Sequence, residues 1–299
     1  MTKRLFLFAS YDKNNVVDDT VVHYVKHLST LGDVIFIMDN NLTISEIKKI
    51  SELNNVLHAS AKQHQEYDFG SYKRGYIWAK DNKVLNNYDW LYFVNDSVYG
   101  PLSSLSNILS DIESKNADEV GLIENTEPDH PTHIQSWFVG FSKKIFTQNF
   151  FDEFMKKICR EDNKLDIITK YEVRLSRLIA RQGFKMSAFI KNDVQNNIEI
   201  YQYPINMLNK GLPFIKKRSI NKIKQRHLLN AHSDFPDIID KIYNHANIIE
   251  DTVYIPDKYV KKFKLTFLSL PIFSIRGKQL SKQYKIYLFD KIPIIKINK

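Results

Sequence analysis

From Lys3 to Ile123 the chain alternates short apolar runs with longer amphipathic segments, and this alternation constrains its fold more than any other feature. The runs at Lys3–Ser10, Asp33–Met38 and Trp90–Val94 are rich in aromatic and aliphatic residues, as is typical of strands buried on both faces. Between the first two runs, apolar residues recur at helical spacing until a glycine ends the pattern. Strands separated by helices predict a parallel sheet in a three-layer α/β/α sandwich, whose ligands bind beyond the carboxyl ends of the strands.

The other elements of this domain are expected to follow in the same order. They are helix Ile44–Leu53, strand Val56–Ala59, helix Gly70–Leu85, a helix ending near Ser114 and strand Val120–Ile123. The sequence shows no internal repeat and no linker rich in Pro, Gly or Ser, and it holds only nine glycines and nine prolines. We therefore expect a compact chain.

Positive charge is concentrated in the last third of the chain. Residues 201–299 hold 19 Lys and Arg against 7 Asp and Glu, whereas residues 1–200 hold 24 against 27. We therefore expect an α/β ligand-binding domain over residues 1–200 and a basic, mainly helical extension over residues 201–299. A basic surface attracts nucleic acid, anionic lipid and phosphorylated ligands alike, and a solvated lysine-rich face is the simpler explanation of the charge alone.

The sequence also indicates a compartment. Cys159 is the only cysteine, so no disulfide can form within the chain. The first ten residues lack the apolar core and the cleavage site of a signal peptide, and no run approaches the roughly 18 apolar residues of a membrane-spanning helix. These features predict a cytoplasmic protein whose contact with a membrane is peripheral.

The segment WLYFVNDSVYGPL places three polar side chains at the end of a predicted strand. Asn95, Asp96 and Ser97 follow directly on the apolar run that begins at Trp90. A carboxylate flanked by other oxygen atoms can ligate a hard divalent cation, and such a cation can bridge a diphosphate. The alternative is an ordinary turn in which Asp96 caps the helix after Pro101.

The segment YDFGSYKRGYIWA combines an acid, a glycine and two basic residues at the predicted start of a helix. Asp68 precedes Gly70, which allows close approach of the backbone, and Lys73 and Arg74 would meet phosphate together with backbone N–H groups. The glycine spacing is neither a Walker nor a dinucleotide-binding pattern. A capped surface helix with solvated basic residues is therefore the alternative.

Two further segments carry groups that can transfer protons. KYEVRLSRLIARQGF, residues 170–184, predicts a helix with Glu172 near its start, where the helix dipole favours a carboxylate whatever its function. ENTEPDHPTHIQSWFVGF, residues 124–141, is dense in side chains that can handle protons or bind hydroxyl groups. Position relative to the other segments decides whether these groups have a chemical role.

Together with HIQSWFVGFSK and GLPFIKKR, these segments resemble the rhamnan synthesis F family of bacterial polysaccharide glycosyltransferases. The resemblance covers roughly Lys3 to Arg226, and NDSVYGPL is its most specific part. It implies a GT-A-like catalytic domain that binds a nucleotide sugar. It also implies an inverting transfer, in which a base takes the proton of the acceptor hydroxyl while the leaving diphosphate is stabilised on the opposite face.

The resemblance assigns the metal and the diphosphate to particular residues. Asp96 takes the place of the metal-binding aspartate of an Asp-x-Asp motif, with Asn95 and Ser97 beside it. One carboxylate where two are usual predicts a weak site for Mg²⁺ or Mn²⁺. Lys73 or Arg74 would then share the charge of the diphosphate.

The resemblance also implies the base and the acceptor site. Glu172 stands where the family has its catalytic base, with Asp129 or His133 as the alternative. Gln135 would hydrogen-bond acceptor hydroxyls and Trp137 would stack on a sugar face. Trp137 lies in the apolar run WFVGF, so a place in the core suits it equally well.

The base of the donor is expected beside the polar residues that follow the first two strands. Tyr11 would stack on a pyrimidine and Asp39 would accept its N3–H. Asp39 also begins an ordinary turn sequence, which is the alternative explanation. Asp68 and Gly70 are expected to contact the same donor.

The resemblance implies transfer of L-rhamnose from dTDP-L-rhamnose to a growing cell-surface polysaccharide such as a capsule or lipopolysaccharide. A UDP-sugar carrying galactose or galactofuranose is the alternative donor. An acceptor on a polyprenyl diphosphate would bring the basic C-terminal third to the anionic inner face of the cell membrane. A non-catalytic sugar-binding protein of the same fold would also explain the missing second aspartate, whereas no recognisable motif supports nucleic-acid binding.

Overall fold

The computed structural model describes residues 2–127, 130–191, 200–223 and 226–248, together with the backbone of four strands within residues 260–298. The chain divides into two compact units, Met1–Ile249 and Glu250–Lys299. The first unit contains the described residues that the sequence patterns singled out, so it is the one that positions the candidate site.

The strands and helices of the first unit begin with the expected alternation. The strands are β1 (Arg4–Ser10), β2 (Asp33–Met38), β3 (Val56–Ala61), β4 (Trp90–Asn95), β5 (Val98–Tyr99), β6 (Glu119–Glu127), β7 (His130–Ile134), β8 (Phe138–Ser142), β9 (Met186–Ile190) and β10 (Ile215–Lys216). The helices are α1 (Asp19–Ser29), α2 (Ile44–Ser51), α3 (Tyr67–Asp81), α4 (Ser106–Ser114), α5 (Lys143–Phe146), α6 (Asn149–Lys157), α7 (Lys164–Ile167), α8 (Arg174–Arg181), α9 (Pro204–Asn209), α10 (Arg226–Asn230) and α11 (Pro236–Ala246). Two 3₁₀ segments (Leu85–Asn87, Lys217–Lys222) and a π-helical segment (Ile168–Val173) complete them.

Most of these strands form one mixed sheet of eight strands. Its order is β3-β2-β1-β4-β8-β6-β7, with β9 beside β6. The first four strands of this order are parallel to one another, whereas β8 runs antiparallel to both β4 and β6. In β1, Ala9 lies opposite Ile37 of β2 and Asn95 of β4, so the carboxyl ends of these three strands meet at one edge.

Successive side chains of the central strands point to opposite faces of the sheet, and both faces are apolar. Phe6 and Phe8 of β1 pack in one core with residues of α1 and α4. Leu5 and Leu7 of the same strand pack in a second core with residues of α3 and α6. Full burial of such side chains contributes roughly 1.5–3 kcal/mol each. The two cores confirm the three-layer α/β/α sandwich.

Residues 201–248 belong to the first unit, so the division expected after residue 200 is not where the compact units separate. The reason is burial: Phe214 packs against Tyr24 and Trp137 in the first core. In addition, β10 pairs antiparallel with β5 just after the site-bearing strand β4. The segment that contains Phe214 therefore completes the α/β domain instead of extending from it.

The second unit is a four-stranded antiparallel sheet. Its strands pair in chain order and are β11 (Val260–Phe267), β12 (Leu270–Lys278), β13 (Gln283–Leu288) and β14 (Ile292–Asn298). A mainly helical extension is therefore the wrong prediction for this part of the chain. Residues 263–267, Phe-Lys-Leu-Thr-Phe, alternate apolar and polar side chains with a period of two, which is the pattern of a strand. Among the described residues no helix has the length and hydrophobicity to cross a membrane.

Candidate functional site

The candidate site lies where the strand order of the sheet changes direction. The chain places β2 on one side of β1 and later adds β4 on the other side. In open α/β sheets, ligands bind at such a switch point, beyond the carboxyl ends of the strands. A cleft of about 930 Å³ opens there, lined by Ser10 at the end of β1 and by Asp96 just after β4. This volume is in the range of small-molecule sites.

Asp96 is held at the centre of this edge by contacts from β1. Its Oδ2 accepts a hydrogen bond from Ser10 Oγ at 2.8 Å and one from the Tyr11 backbone N–H at 3.3 Å. Burial raises the pKa of Asp96, and the opposing effects of Lys217, Ser10 and Tyr11 only reduce that rise. Asp96 is therefore a fixed carboxylate with restricted access to water.

Asn95 and Ser97, on either side of Asp96, contact α3 and β10 through hydrogen bonds. Asn95 Nδ2 donates to Asp68 Oδ2 at 2.8 Å, and Asn95 Oδ1 accepts from the Ser97 backbone N–H at 3.0 Å. Ser97 Oγ accepts from Lys216 Nζ at 3.1 Å. The hydrogen bonds bring Asp68, in the first turn of α3, and Lys216, in β10, to the same cleft.

The donor set around Asp96 does not fit a divalent cation. Lys217 Nζ lies 3.7 Å from Asp96 Oδ2 and 4.0 Å from Asp18 Oδ2, so an ammonium group already stands beside both carboxylates. A hard divalent cation needs several oxygen ligands, and it is repelled by a neighbouring ammonium. Within the described ranges, no group of three or more His, Cys, Asp or Glu side chains could hold a metal ion.

The positive charge of the cleft comes from residues 216–218 and not from α3. Lys216, Lys217 and Arg218 line the cleft, and Lys216 Nζ also lies 4.4 Å from the ring centre of Trp137. These residues belong to the segment GLPFIKKR of the family resemblance, but the sequence assigned them no role in the site. The pairing of β10 with β5 places them there, and that pairing joins segments far apart in the chain.

The prediction that Lys73 and Arg74 meet a phosphate is not matched by their positions. Helix α3 begins at Tyr67, so both lie beyond the first turn, where backbone N–H groups are already paired. Lys73 Nζ donates to the Ile158 carbonyl at 2.7 Å and Arg74 Nη1 pairs with a carboxylate oxygen of Glu66 at 2.7 Å. Neither side chain lines the cleft.

Gly70 serves packing within its own helix. A Cβ atom at this position would lie 2.2 Å from the Cβ of Glu66 and 2.9 Å from Nδ1 of His64. The glycine therefore admits the Glu66 and His64 side chains, and it does not line the cleft.

Asp39 lines the cleft and also fixes the loop in front of α3. Its carboxylate accepts hydrogen bonds from the backbone N–H groups of His64 at 2.5 Å and Gln65 at 3.0 Å. Tyr11 also lines the cleft, with 58% of its surface exposed. Asp39 therefore has a structural role in holding this loop, its contact with a donor base stays a prediction, and Tyr11 is open to a stacking partner.

Glu172 enters the cleft already held by hydrogen bonds. Its Oε2 accepts from the Ser136 backbone N–H at 2.7 Å and from the Ser136 hydroxyl, and its Oε1 lies 3.5 Å from His133 Nε2. Burial alone would raise the pKa of Glu172, but His133 and the two Ser136 donors outweigh burial, and the pKa is lowered. Glu172 is therefore ionised at neutral pH.

Glu172 lies in the middle of a helical stretch and not near its start. Helix α7 begins at Lys164, and the Asp166 backbone N–H donates to Asn163 Oδ1 at 2.9 Å. Asn163 is the start signal that the sequence analysis missed, since Asn is a preferred residue before a helix. The π-helical segment Ile168–Val173 then carries Glu172, and such segments occur frequently at functional sites.

The predicted acceptor residues are more deeply buried than expected. His133, Gln135 and Trp137 all line the cleft, but each is nine-tenths buried or more. Trp137 Nε1 donates to Gln135 Oε1 at 2.7 Å, and the indole packs edge-on against Phe214 in the first core. The core interpretation of Trp137 therefore holds. Asp129 lies outside the described residues.

The cleft brings together most of the residues that the sequence singled out. They are Tyr11, Asp39, Asp68, Asn95, Asp96, Ser97, His133, Gln135, Trp137 and Glu172. Ser10, one of the polar residues at the end of the first strand, also lines the cleft. Sequence reasoning assigned no role in the site to other residues that line it, among them Gln63, Gln65, Asn125, Ser136, Arg160, Lys216, Lys217 and Arg218. Most of these lie in loops or reach the cleft through long-range pairing, and neither leaves a local pattern in the sequence.

The fold and the cleft define an α/β protein with a small-molecule site at the switch point of its sheet. The sequence matches the rhamnan synthesis protein F family over residues 34–275, which is most of the chain. The chain therefore belongs to that family, and the family and glycosyltransferase class implied by the sequence resemblance are confirmed.

Similar proteins include one curated sequence and several solved structures. An uncharacterized protein, y4gN, of Sinorhizobium fredii is 25% identical over 197 residues, which cover 62% of this chain and 50% of the relative. The chain thus spans about half the length of that protein.

Three solved structures are similar to parts of this chain at low identity. Staphylococcus aureus TarS 1–349 in complex with UDP has 10% identity and a TM-score of 0.41 over 82% of this chain and 71% of the other. The glycosyltransferase GlyE of Streptococcus pneumoniae has 11% identity and a TM-score of 0.42 over 84% and 66%. Core-mannan synthase A of Aspergillus fumigatus, in a Mn/GDP form, has 11% identity and a TM-score of 0.33 over 52% and 63%.

Proposed function

We propose that this protein is an inverting glycosyltransferase that moves a sugar from a nucleoside diphosphate to a growing polysaccharide. The observation that carries the proposal is Glu172, an ionised carboxylate held by Ser136 in the same cleft as the polar residues after β1 and β4. Such a transfer requires at least a base and a donor-binding site in the same cleft, and Glu172 provides a carboxylate base beside the switch-point site.

In the proposed reaction, the oxygen of the acceptor hydroxyl bonds to the anomeric carbon while Glu172 takes the proton of that hydroxyl. The bond from that carbon to the diphosphate oxygen breaks on the opposite face, and the nucleoside diphosphate leaves with the electron pair. Ser136 and His133 orient the carboxylate through its two oxygens. A base with a lowered pKa stays ionised at neutral pH but binds the proton less strongly, so precise placement has to supply much of its effect.

The donor we propose is a pyrimidine nucleotide sugar, with dTDP-L-rhamnose as the first candidate. The family name, rhamnan synthesis, supports rhamnose as the sugar. Tyr11 is exposed at the cleft and would stack on the pyrimidine, and Asp39 lies nearby with its carboxylate directed at backbone N–H groups. UDP-galactose and UDP-galactofuranose are the alternative donors.

The acceptor we propose is a cell-surface glycan carried on a polyprenyl diphosphate at the inner face of the membrane. The basic composition of residues 201–299 supports contact with anionic lipid, where each nearby Lys or Arg contributes roughly 1 kcal/mol. Sedimentation with vesicles of phosphatidylglycerol, compared with vesicles of phosphatidylcholine, tests this contact.

Turnover of a nucleotide-sugar panel tests the proposal. Wild-type protein is expected to release nucleoside diphosphate from one pyrimidine nucleotide sugar in the presence of a rhamnan oligosaccharide. Glu172→Gln should lower kcat by at least about 100-fold, because general-base catalysis contributes that much or more. Donor affinity should persist, since the amide keeps the shape of the side chain.

Glu153→Gln is the matched control, because Glu153 is exposed on α6, away from the cleft. It should turn over donor at the wild-type rate. Full activity in Glu172→Gln would eliminate the base assignment. Donor binding by the wild type without any turnover would favour a non-catalytic sugar-binding protein of the same fold.

A further inference from the structure

We infer that Lys217, flanked by Lys216 and Arg218, binds the diphosphate of the donor and supplies the positive charge that a divalent cation supplies in an Asp-x-Asp site. The inference rests on the proposed function, because it takes the ligand of the cleft to be a nucleoside diphosphate. It replaces the expectation that Asp96 holds Mg²⁺ or Mn²⁺.

The Lys217 ammonium lies beside two carboxylates at the edge of the cleft. It lies 3.7 Å from Asp96 Oδ2 and 4.0 Å from Asp18 Oδ2. Both distances are those of ion pairs and exceed hydrogen-bond length. The two carboxylates therefore hold the ammonium at the edge of the cleft, and its N–H groups can still donate to a phosphate oxygen.

Both carboxylates already accept hydrogen bonds from neighbouring groups of the protein. Asp96 accepts hydrogen bonds from Ser10 and Tyr11. Asp18 caps α1 and accepts from the backbone N–H groups of Thr20 and Val21. A cation would have to displace the ammonium and compete with these donors, so the arrangement favours the lysine.

Backbone hydrogen bonds fix residues 216 and 217 to the segment that follows Asp96. Lys216 pairs with Val98 across β10 and β5, and the Lys217 backbone N–H donates to the Ser97 carbonyl at 3.0 Å. The Lys216 ammonium is buried and donates to Ser97 Oγ at 3.1 Å. The charge is thus placed before a ligand arrives, which reduces the entropy cost of binding.

The charges around residues 216–218 also favour a diphosphate ligand. Lys216, Lys217 and Arg218 are consecutive and all line the cleft, while Asp96 and Asp18 are the acids beside Lys217. A diphosphate carries at least two negative charges at neutral pH, and ammonium and guanidinium groups give strong charge-assisted hydrogen bonds to phosphate. The predicted pair Lys73 and Arg74 cannot serve, since both are bonded outside the cleft.

Isothermal titration calorimetry with the full chain tests the inference. The probes are dTDP and UDP, with thymidine and uridine as ligands that lack the diphosphate, each titrated in EDTA and again in Mn²⁺. We expect the wild type to bind one of the two diphosphates in EDTA with an affinity that Mn²⁺ leaves within about twofold, a free-energy difference well below the 1.4 kcal/mol of a tenfold change.

The decisive variant is Lys217→Ala. It should weaken binding of the diphosphate in EDTA by about 10- to 100-fold, as expected for one charge-assisted contact, and leave binding of the nucleoside unchanged. Mn²⁺ should restore part of the affinity in this variant, because Asp96 and Asp18 then lack their ammonium partner. Lys217→Arg should retain most of the wild-type affinity, since it keeps the charge.

Lys26→Ala is the matched control, because it removes the same charge from an exposed position on α1. It should bind like the wild type. Wild-type binding that requires Mn²⁺, or unchanged binding in Lys217→Ala, would overturn the inference while leaving the proposed function intact. Failure of the wild type to bind either diphosphate under any condition would overturn both.

Discussion

Contacts with His133 and Ser136 set the pKa of Glu172 more directly than its place in the helix does. The sequence analysis placed Glu172 in the site by its order along the chain, and the cleft does contain it. The predicted location of Glu172 near a helix start is wrong, and the carboxylate owes its lowered pKa to His133 and Ser136. No sequence pattern indicates a partner 36 positions away.

Replacing Ser136 should change the pH dependence of catalysis. Ser136→Ala removes the hydroxyl donor to Glu172, so the pKa of this carboxyl should rise. A base acts only when ionised, so activity is lost as the pH falls through its pKa. The acid limb of the kcat/KM profile should therefore move to higher pH, measured by donor turnover across a pH series. Ser114→Ala, on the exposed end of α4, should leave the profile unchanged; an unshifted limb in Ser136→Ala would contradict the account.

Glu119 should make the protein less stable as the pH rises. It is buried at the start of β6, accepts from Ser176 Oγ through Oε1, and its Oε2 has no partner among the described residues. Burial raises its pKa to about 7. Because the folded state then keeps a proton that the unfolded state loses, stability should fall between its ordinary pKa and about 7.

Glu119→Gln should remove that pH dependence. At a pH above about 7 the variant should be more stable than the wild type by up to about 3 kcal/mol, with the difference shrinking towards pH 5. Urea unfolding at a series of pH values measures this difference. Glu153→Gln, at an exposed position, provides the control. Equal stability of Glu119→Gln and wild type at high pH would refute the assignment.

At the scale of elements, local patterns predicted the parallel half of the sheet and strand Val120–Ile123, which lies within β6, but not the other antiparallel strands. Strand β2 was predicted with its observed bounds, and β1 and β4 within one residue at one end, because their apolar runs are unbroken. The antiparallel strands β7 and β8 and the pairing of β10 with β5 depend on contacts between distant segments. Local patterns carry no information on such contacts, so the place of residues 216–218 in the cleft was not predicted.

The contact between β4 and β8 depends on a glycine. A Cβ atom at Gly140 would lie 2.4 Å from the ring of Tyr92, its partner across the two strands. Tyr92 cannot easily turn away, because its hydroxyl donates to Glu113 Oε1 at 2.7 Å and Glu113 is paired with Arg4. Gly140→Ala should therefore cost about 3 kcal/mol of stability.

Gly183→Ala is the comparison variant for this contact. Gly183 has a φ of +81° and no atom within 4 Å of an added Cβ, so only backbone strain of about 1 kcal/mol is expected. Chemical denaturation of both variants measures the two costs. A Gly140→Ala variant as stable as Gly183→Ala would contradict the close packing of Tyr92 on β8.

At the scale of the whole molecule, the positive charge has at least two different locations. Part of it, at residues 216–218, lines the cleft of the first unit. Another part belongs to the second unit, where residues 250–299 hold 11 Lys and Arg against 4 Asp and Glu. Composition alone showed that the last third was basic, but only the fold separates a ligand-binding cluster from the remaining charge.

The central claim is that the cleft at the switch point binds a nucleotide sugar, and a thermal-shift measurement tests it most directly. The panel would contain dTDP-L-rhamnose, UDP-galactose and UDP-galactofuranose, each with and without Mg²⁺ or Mn²⁺. A ligand that binds only the folded state stabilises it by about 2.7 kcal/mol at a hundredfold excess over its Kd. We expect a saturable rise in Tm with one of these nucleotide sugars. An unchanged Tm with all of them, in every cation condition, would contradict it.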